Sequence, residues 1–193
     1  MDNYRKYNIK VVNLSIGTND QNVNLPLLYA VNALWDNGLV VIAAAGNSGG
    51  RSNSISSPKI SPKIITVGSW EDRQFFYQKP VPQYNFLGRS FLSKTPPMPD
   101  IWAPGEDIIS TLSPDYSFDF KNRDSFKIVD RCYIKMSGTS MSTPMVSGAA
   151  ALLLEKEPYL KPNEVKERLL KTASFFYNNQ GSGLLNIERL LFP

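Results

Sequence analysis

The chain has 193 residues, of which 42% are hydrophobic and 20% charged, a composition typical of one globular domain or of part of a larger one. Its formal net charge is +4, but lysines and arginines are spread along the sequence, which argues against a nucleic acid partner. The chain contains no histidine and one cysteine. This excludes an internal disulfide framework and argues against a zinc site.

Composition also sets expectations about membranes and cofactors. No apolar stretch reaches the roughly 20 residues needed to cross a bilayer, so we expect no membrane span. The segment Met1–Lys6 is polar, unlike a signal peptide, and the sequence does not predict the compartment. We expect no cofactor; a structural calcium site made of carbonyl and carboxylate oxygens stays open but is not predicted. Cys132 is expected to be a small core or loop residue.

The first third of the chain alternates between strands and a helix. Apolar and β-branched residues predict a strand over Ile9–Ile16, and apolar residues at helical spacing predict a helix over Pro26–Asn37. Continuous apolar runs predict two more strands, over Leu39–Ala45 and Ile64–Gly68. We therefore expect an α/β fold with a mainly parallel sheet flanked by helices.

The rest of the chain is predicted to contain two irregular insertions and two helices. Residues 70–99 are rich in aromatics and proline, and residues 113–135 are polar and charged and predict a long hairpin. One helix is predicted from Thr139 to about Glu157, and a second from Lys161 to about Thr172. We interpret residues 1–193 as a single partial domain, because the chain enters its first strand almost at once.

Ser140 lies at the predicted start of a helix. Free backbone N–H groups and the positive end of the helix dipole meet there and can stabilise a developing oxyanion next to an attacking hydroxyl. The simpler alternative is that Thr139 or Ser140 only caps the helix. Pro144 and the small residues Ala149–Ala151 favour a helix packed tightly into a core.

Six segments, in order, resemble the subtilisin-like serine proteases, the subtilase family. The run Gly138–Pro144 (GTSMSTP) matches the nucleophile signature of that family. The other segments are Val12–Gly17, Val40–Asn47, Ser57-Pro58 with Ile65–Gly68, Ala103–Gly105 and Gly181–Asn186. The resemblance covers nearly the whole chain, is weakest at 70–99 and 113–135, and implies the C-terminal part of a subtilisin-like fold.

The resemblance implies an endopeptidase that works through an acyl-enzyme, with specific roles for these residues. Ser140 would be the nucleophile, and its N–H would bind the oxyanion together with the side-chain amide of Asn47. The main chain of an extended polypeptide substrate would pair with Ser15, Ile16 and Gly17. Ala44, Ala45 and Gly46 would form one wall of the pocket for the side chain before the scissile bond.

One departure from the family is decisive for activity. The family's aspartate and histidine motifs precede the serine, and neither is present in this chain. Lys135 is near Ser140 in sequence, but nothing in the sequence positions it as a base. We therefore predict that the chain alone is inactive, although its family is one of serine endopeptidases.

Four interpretations stay open. The chain is the C-terminal portion of a subtilase, a decayed remnant without catalysis, a module that binds and complements a separate N-terminal half, or an unrelated hydrolase or structural protein. An unrelated α/β-hydrolase is disfavoured, because the serine is not in a Gly-x-Ser-x-Gly turn and no histidine follows it.

Overall fold

The computed structural model describes residues 3–16, 25–46, 61–70, 99–115, 127–129, 132–174 and 183–192. Its helices and strands, in chain order, are β1 Val11–Leu14, α1 Leu25–Asp36, β2 Val40–Ala44, β3 Ile65–Trp70, β4 Ile101–Pro104, β5 Ile108–Thr111, β6 Lys127–Val129, β7 Tyr133–Met136, α2 Thr139–Lys156, α3 Pro162–Thr172, β8 Gly183–Leu184 and α4 Ile187–Leu191.

The main sheet of the described residues has five strands in the order β1-β2-β3-β4-β8. Every neighbouring pair is parallel, with Val11 opposite Val40 in the first pair and Ile42 opposite Ile65 in the second. The five residues of β2 are all buried, as expected for a central parallel strand covered on both faces. The predicted α/β fold with a mainly parallel sheet is therefore confirmed.

Helix α2 crosses the sheet and contacts β1, β2, β3 and β4. Its buried side chains are small or branched, including Val146, Ala149, Ala150 and Leu153. Alanine lets the helix axis approach the sheet closely, and the four residues join the main hydrophobic core. This packing fixes the height and direction of the start of α2 over the sheet.

A second, antiparallel sheet has the order β5-β7-β6. It contains the β6–β7 hairpin, in which Ile128 lies opposite Ile134, within the region predicted as a long hairpin. Residues 116–126 and 130–131 of that region, and residues 71–98 of the other predicted insertion, lie outside the described residues.

The first predicted strand is too long by four residues. Only Val11–Leu14 pairs with β2, whereas Ile9 donates its N–H to Tyr4 in a turn and Asn8 has a φ of 50°. At the other end, Ser15 and Ile16 lie beyond the paired residues. Strands β4, β5 and β8 and helix α4 were not predicted, because they are two to five residues long and too short for a periodic pattern.

Within the described residues, no helix is both long enough and apolar enough to cross a membrane.

Candidate active site

Helix α2 begins without a side-chain cap. Its N-cap residue is Gly138, with φ 144° and ψ 173°, which has no side chain that could cap the helix. The alternative that Thr139 or Ser140 caps the helix is therefore wrong: both are already helical residues. The hydroxyl of Ser140 is consequently not used in capping.

The position of Gly138 is fixed by the segment after β4. Its N–H donates to the carbonyl of Gly105 across 2.7 Å. A Cβ on Gly105 would lie 1.9 Å from the Ser142 hydroxyl oxygen and 2.8 Å from the Gly138 carbonyl oxygen. Only glycine lets the backbone come this close. The sequence marked Ala103–Gly105 as a family segment, but the part played by Gly105 in seating the start of α2 was not predicted.

Ser140 and Ser15 are joined by two hydrogen bonds, although they lie 125 positions apart in sequence. The Ser15 hydroxyl donates to the Ser140 carbonyl across 2.9 Å. The Ser140 hydroxyl in turn donates to the Ser15 carbonyl across 3.3 Å. The half-buried Ser140 hydroxyl thus lies at the carboxyl end of β1, next to the segment predicted to pair with substrate.

The carboxyl end of β2 reaches the same place. The N–H of Gly46, which has a φ of 89°, donates to the Thr139 hydroxyl oxygen across 3.1 Å. Ala45 donates its N–H to Val67 of β3, which keeps this segment attached to the sheet. Carboxyl ends of adjacent parallel strands are the usual place for a ligand site in such sheets.

The predicted site residues therefore divide into three groups. Ser140, Ser15 and Gly46 meet at the start of α2. Ala44 is buried, at 4% exposure, Ala45 is half-buried, and Ile16 is 58% exposed. Asn47 and Gly17 lie outside the described residues.

The described residues offer Ser140 no side-chain base. The acceptor of its hydroxyl proton is a backbone carbonyl, which does not abstract protons. The ammonium of Lys135 is held 2.7 Å from the carboxylate of Asp107. The Lys135 side chain is thus engaged by Asp107. The geometry therefore places the Ser140 hydroxyl at a helix N-terminus, with no side-chain base among the described residues to activate it.

Metal ligands do not converge here either. In the part of the chain that the structure describes, no three His, Cys, Asp or Glu side chains lie close enough together to hold an ion. Cys132 is exposed, in the turn before β7.

Comparison with known proteins gives this site a family context. The model of the "Subtilase family" matches residues 1–188. The serine protease AprX of Bacillus subtilis is 39% identical over 189 residues, covering 93% of this chain and 42% of that protein. Subtilisin DY of Bacillus licheniformis is 32% identical over 187 residues, covering 93% of this chain and 56% of the relative.

Solved structures share the fold. The self-cleaved protease domain of PatA aligns with a TM-score of 0.66 and 25% identity, covering 98% of this chain and 63% of that one. The prenylagaramide maturation protease PagA aligns with a TM-score of 0.65 and 28% identity, covering the same shares of the two chains. The chain thus spans about half the length of the curated relatives it matches. Because the match extends over nearly all of its residues, the chain belongs to the subtilase family of serine proteases.

Proposed function

We propose that this chain carries the nucleophile of a subtilisin-like serine endopeptidase and does not hydrolyse peptides by itself. The observation that carries this proposal is the environment of Ser140. Its hydroxyl lies at the uncapped start of α2, yet it donates to the carbonyl of Ser15, and the chain contains no histidine.

In the proposed reaction, the Ser140 oxygen attacks the carbonyl carbon of a peptide bond and forms a tetrahedral intermediate. The N–H of Ser140 and the side-chain amide of Asn47 stabilise its oxyanion. A base must take the hydroxyl proton during attack and return it to the leaving nitrogen, after which water hydrolyses the acyl-enzyme. Since the chain has no histidine, we infer that the base comes from polypeptide outside it.

The proposed substrate is a polypeptide in extended conformation. Its main chain pairs with Ser15, Ile16 and Gly17. The Ser15 carbonyl has two lone pairs, so it can accept a substrate N–H beside the Ser140 hydroxyl. Ala44, which is buried, forms one wall of the pocket for the side chain before the scissile bond together with Ala45 and Gly46. Small walls favour medium or large apolar side chains in this pocket.

A surface on the described residues favours one of the alternatives, a module that complements a separate N-terminal half. Strand β1 pairs with β2 but with no other described strand. On α2, Met145 is 38% exposed and Leu152 is 44% exposed. An edge strand and an exposed apolar side of a helix are each a surface that another polypeptide segment can cover. The relatives have about as much sequence again as this chain matches, which is enough to supply such a segment. The catalytically inactive remnant is the remaining alternative.

Peptidase assays separate these functions. The purified chain and its Ser140→Ala variant are incubated with a chromogenic peptide, alone and together with the separately expressed segment of a relative that precedes the matched region. We expect no turnover by the chain alone and Ser140-dependent turnover in the mixture. Turnover by the chain alone that Ser140→Ala abolishes would contradict the proposed need for an outside base. A folded chain that stays inactive in the mixture and binds no segment would favour the remnant.

A further inference from the structure

The carbonyl of Ser140 occupies an unusual place in α2. In an α-helix, the carbonyl of residue 140 accepts a hydrogen bond from the N–H of residue 144. Here residue 144 is Pro144, which has no N–H, so this helical bond cannot form. The hydroxyl of Ser15 donates to the Ser140 carbonyl instead, across 2.9 Å. A side chain from β1 therefore replaces the bond that proline removes from the helix.

The hydroxyl of Ser15 is itself held by a neighbour. The Asn13 side-chain amide donates to it across 3.0 Å, and the Asn13 amide oxygen accepts a hydrogen bond from the Ser147 hydroxyl across 2.9 Å. The Ser147 hydroxyl also lies 3.1 Å from the Thr143 carbonyl, so its single proton is shared between two acceptors. A continuous chain of hydrogen bonds thus runs from Ser147 through Asn13 and Ser15 to Ser140.

The spacing of these residues matches the two elements that carry them. Asn13 and Ser15 are two positions apart, so they project from the same side of an extended segment. Ser140 and Ser147 are seven positions apart, or about two helical turns, so they lie on the same side of α2. The amide of Asn13 is suited to the middle position because it donates at one end and accepts at the other.

We propose that Asn13 and Ser15 are positioning residues for Ser140, because they hold its backbone at the point where proline has removed the helical bond. This inference rests on the proposed role of Ser140 as the nucleophile. Without the two side chains, the first turn of α2 would hold Ser140 less firmly at the helix N-terminus, although the hydrophobic face of the helix would stay packed on the sheet.

The test replaces the hydroxyl with a group that ionises without a base. In the full chain, Ser140→Cys is combined with Cys132→Ser, so that one thiol remains. A thiol in the first turn of a helix has a lowered pKa, because the N–H groups and the helix dipole favour the thiolate. Thiolate absorbance against pH and the rate of alkylation by iodoacetamide at pH 7 both report how well the first turn is held.

Into this background we would introduce Asn13→Ala, Ser15→Ala and Ser15→Thr, with Ser110→Ala as the matched control. Ser110 is an exposed hydroxyl residue on β5, in the other sheet. We expect each of Asn13→Ala and Ser15→Ala to raise the pKa of the thiol and to slow alkylation about threefold. Ser15→Thr keeps a hydroxyl and should restore the rate, and Ser110→Ala should leave it unchanged.

Thermal unfolding of each variant separates positioning from general stability. A merely structural role would lower Tm and leave the thiol titration of the folded protein unmoved. An unchanged alkylation rate in Asn13→Ala and Ser15→Ala, or an equal change in Ser110→Ala, would overturn the proposal. Asn13 is exposed, so we expect Asn13→Ala to fold. Its alkylation rate therefore tests the proposal even if the Ser15→Ala variant does not fold. The result is independent of the peptidase assays, because the thiol ionises whether or not the chain hydrolyses peptides.

Discussion

The N–H of Gly46 donates a hydrogen bond to the Thr139 hydroxyl oxygen, across 3.1 Å and 93 positions of sequence. Gly46 comes two residues after the end of β2, and Thr139 is the first residue of α2. This bond therefore connects the segment that leads into Asn47 to the residue just before Ser140. Its loss should change both the stability of the domain and the geometry of the proposed oxyanion site.

We predict that Thr139→Val lowers the free energy of unfolding by about 1–3 kcal/mol. Valine keeps the shape of threonine but cannot accept a hydrogen bond, so the Gly46 N–H would lose its partner. Because Thr139 is only 2% exposed, water cannot easily replace that partner. Urea denaturation measures the change. Thr139→Ser keeps the hydroxyl and should lower the free energy of unfolding clearly less. Equal decreases in the two variants would show that the hydrogen bond from Gly46 does not cause the loss of stability.

Gly105→Ala is predicted to destabilise the start of α2. The new Cβ would lie 1.9 Å from the Ser142 hydroxyl oxygen and 2.5 Å from that of Ser69, so the backbone would have to move away from Gly138. We expect a loss of about 1–3 kcal/mol or more, from overpacking in a buried position.

The matched control for this change is Gly148→Ala. A Cβ on Gly148 meets nothing within 4 Å, and the residue lies within α2. Alanine there should increase the free energy of unfolding by roughly 0.5–1 kcal/mol, because glycine is a poor helix former. Chemical denaturation of both variants tests the pair. A stable Gly105→Ala protein would show that this close contact does not exist.

Substitutions at two adjacent leucines of α2 should change the free energy of unfolding by very different amounts. Leu153 is 0% exposed and belongs to the core, so Leu153→Ala should cost about 2–5 kcal/mol through the lost contacts and the cavity. Leu152 is 44% exposed, so Leu152→Lys should change stability by no more than about 0.5 kcal/mol.

We also predict that the chain self-associates through the exposed apolar side of α2, and that Leu152→Lys reduces this association because a charge interrupts that side. Sedimentation velocity at several concentrations would measure this. An unchanged association state would argue against this side of α2 as a surface that another segment covers. A large loss of stability in Leu152→Lys would show instead that the side chain is part of the core.

We predict that Lys166 stabilises the fold by connecting α3 to the main sheet. Its ammonium donates to the Ile64 carbonyl across 2.6 Å and lies 3.1 Å from the carboxylate of Asp100, and its side chain is 17% exposed. Asp100 in turn accepts hydrogen bonds from the N–H and hydroxyl of Thr66, so Lys166 attaches α3 to the sheet. We expect Lys166→Met to cost about 1–3 kcal/mol, because it leaves partly buried acceptors unpaired.

The control for Lys166 is Lys63→Met. Lys63 and Asp36 form an ion pair at 2.6 Å, but their side chains are 43% and 58% exposed. Water and salt screen such a pair, so its loss should cost about 0–1 kcal/mol. Equal costs for the two lysine variants, measured by urea denaturation, would contradict the role assigned to Lys166.

Local sequence patterns were enough for most of the architecture. The apolar run of β2, the helical spacing of α1 and the start of α2 at Thr139 are each visible within fewer than 20 residues. The order of the family motifs led to the subtilase family, which the comparisons confirm. The role of Ser140 as nucleophile and that of Asn47 in the oxyanion site stay predictions.

Short elements could not be predicted from such local patterns. The two residues of β8 are a strand only because they lie opposite Ile101 and Trp102 of β4, a pairing between distant segments. In the same way, the strand predicted over Ile9–Ile16 ends early because only four of its residues face β2.

The sequence by itself determined the family, the α/β class, the position of Ser140 at the start of a helix and the absence of a histidine in this chain. The tertiary structure decided what surrounds Ser140. Ser15 bonds to it from 125 positions away, Gly105 accepts a hydrogen bond from Gly138, and Gly46 donates one to Thr139. A periodic pattern shows which side of a strand or helix is buried, because that depends on neighbouring residues. Which polar groups then meet depends on how the strands and α2 are packed against one another, and that is fixed only when the whole sheet has formed.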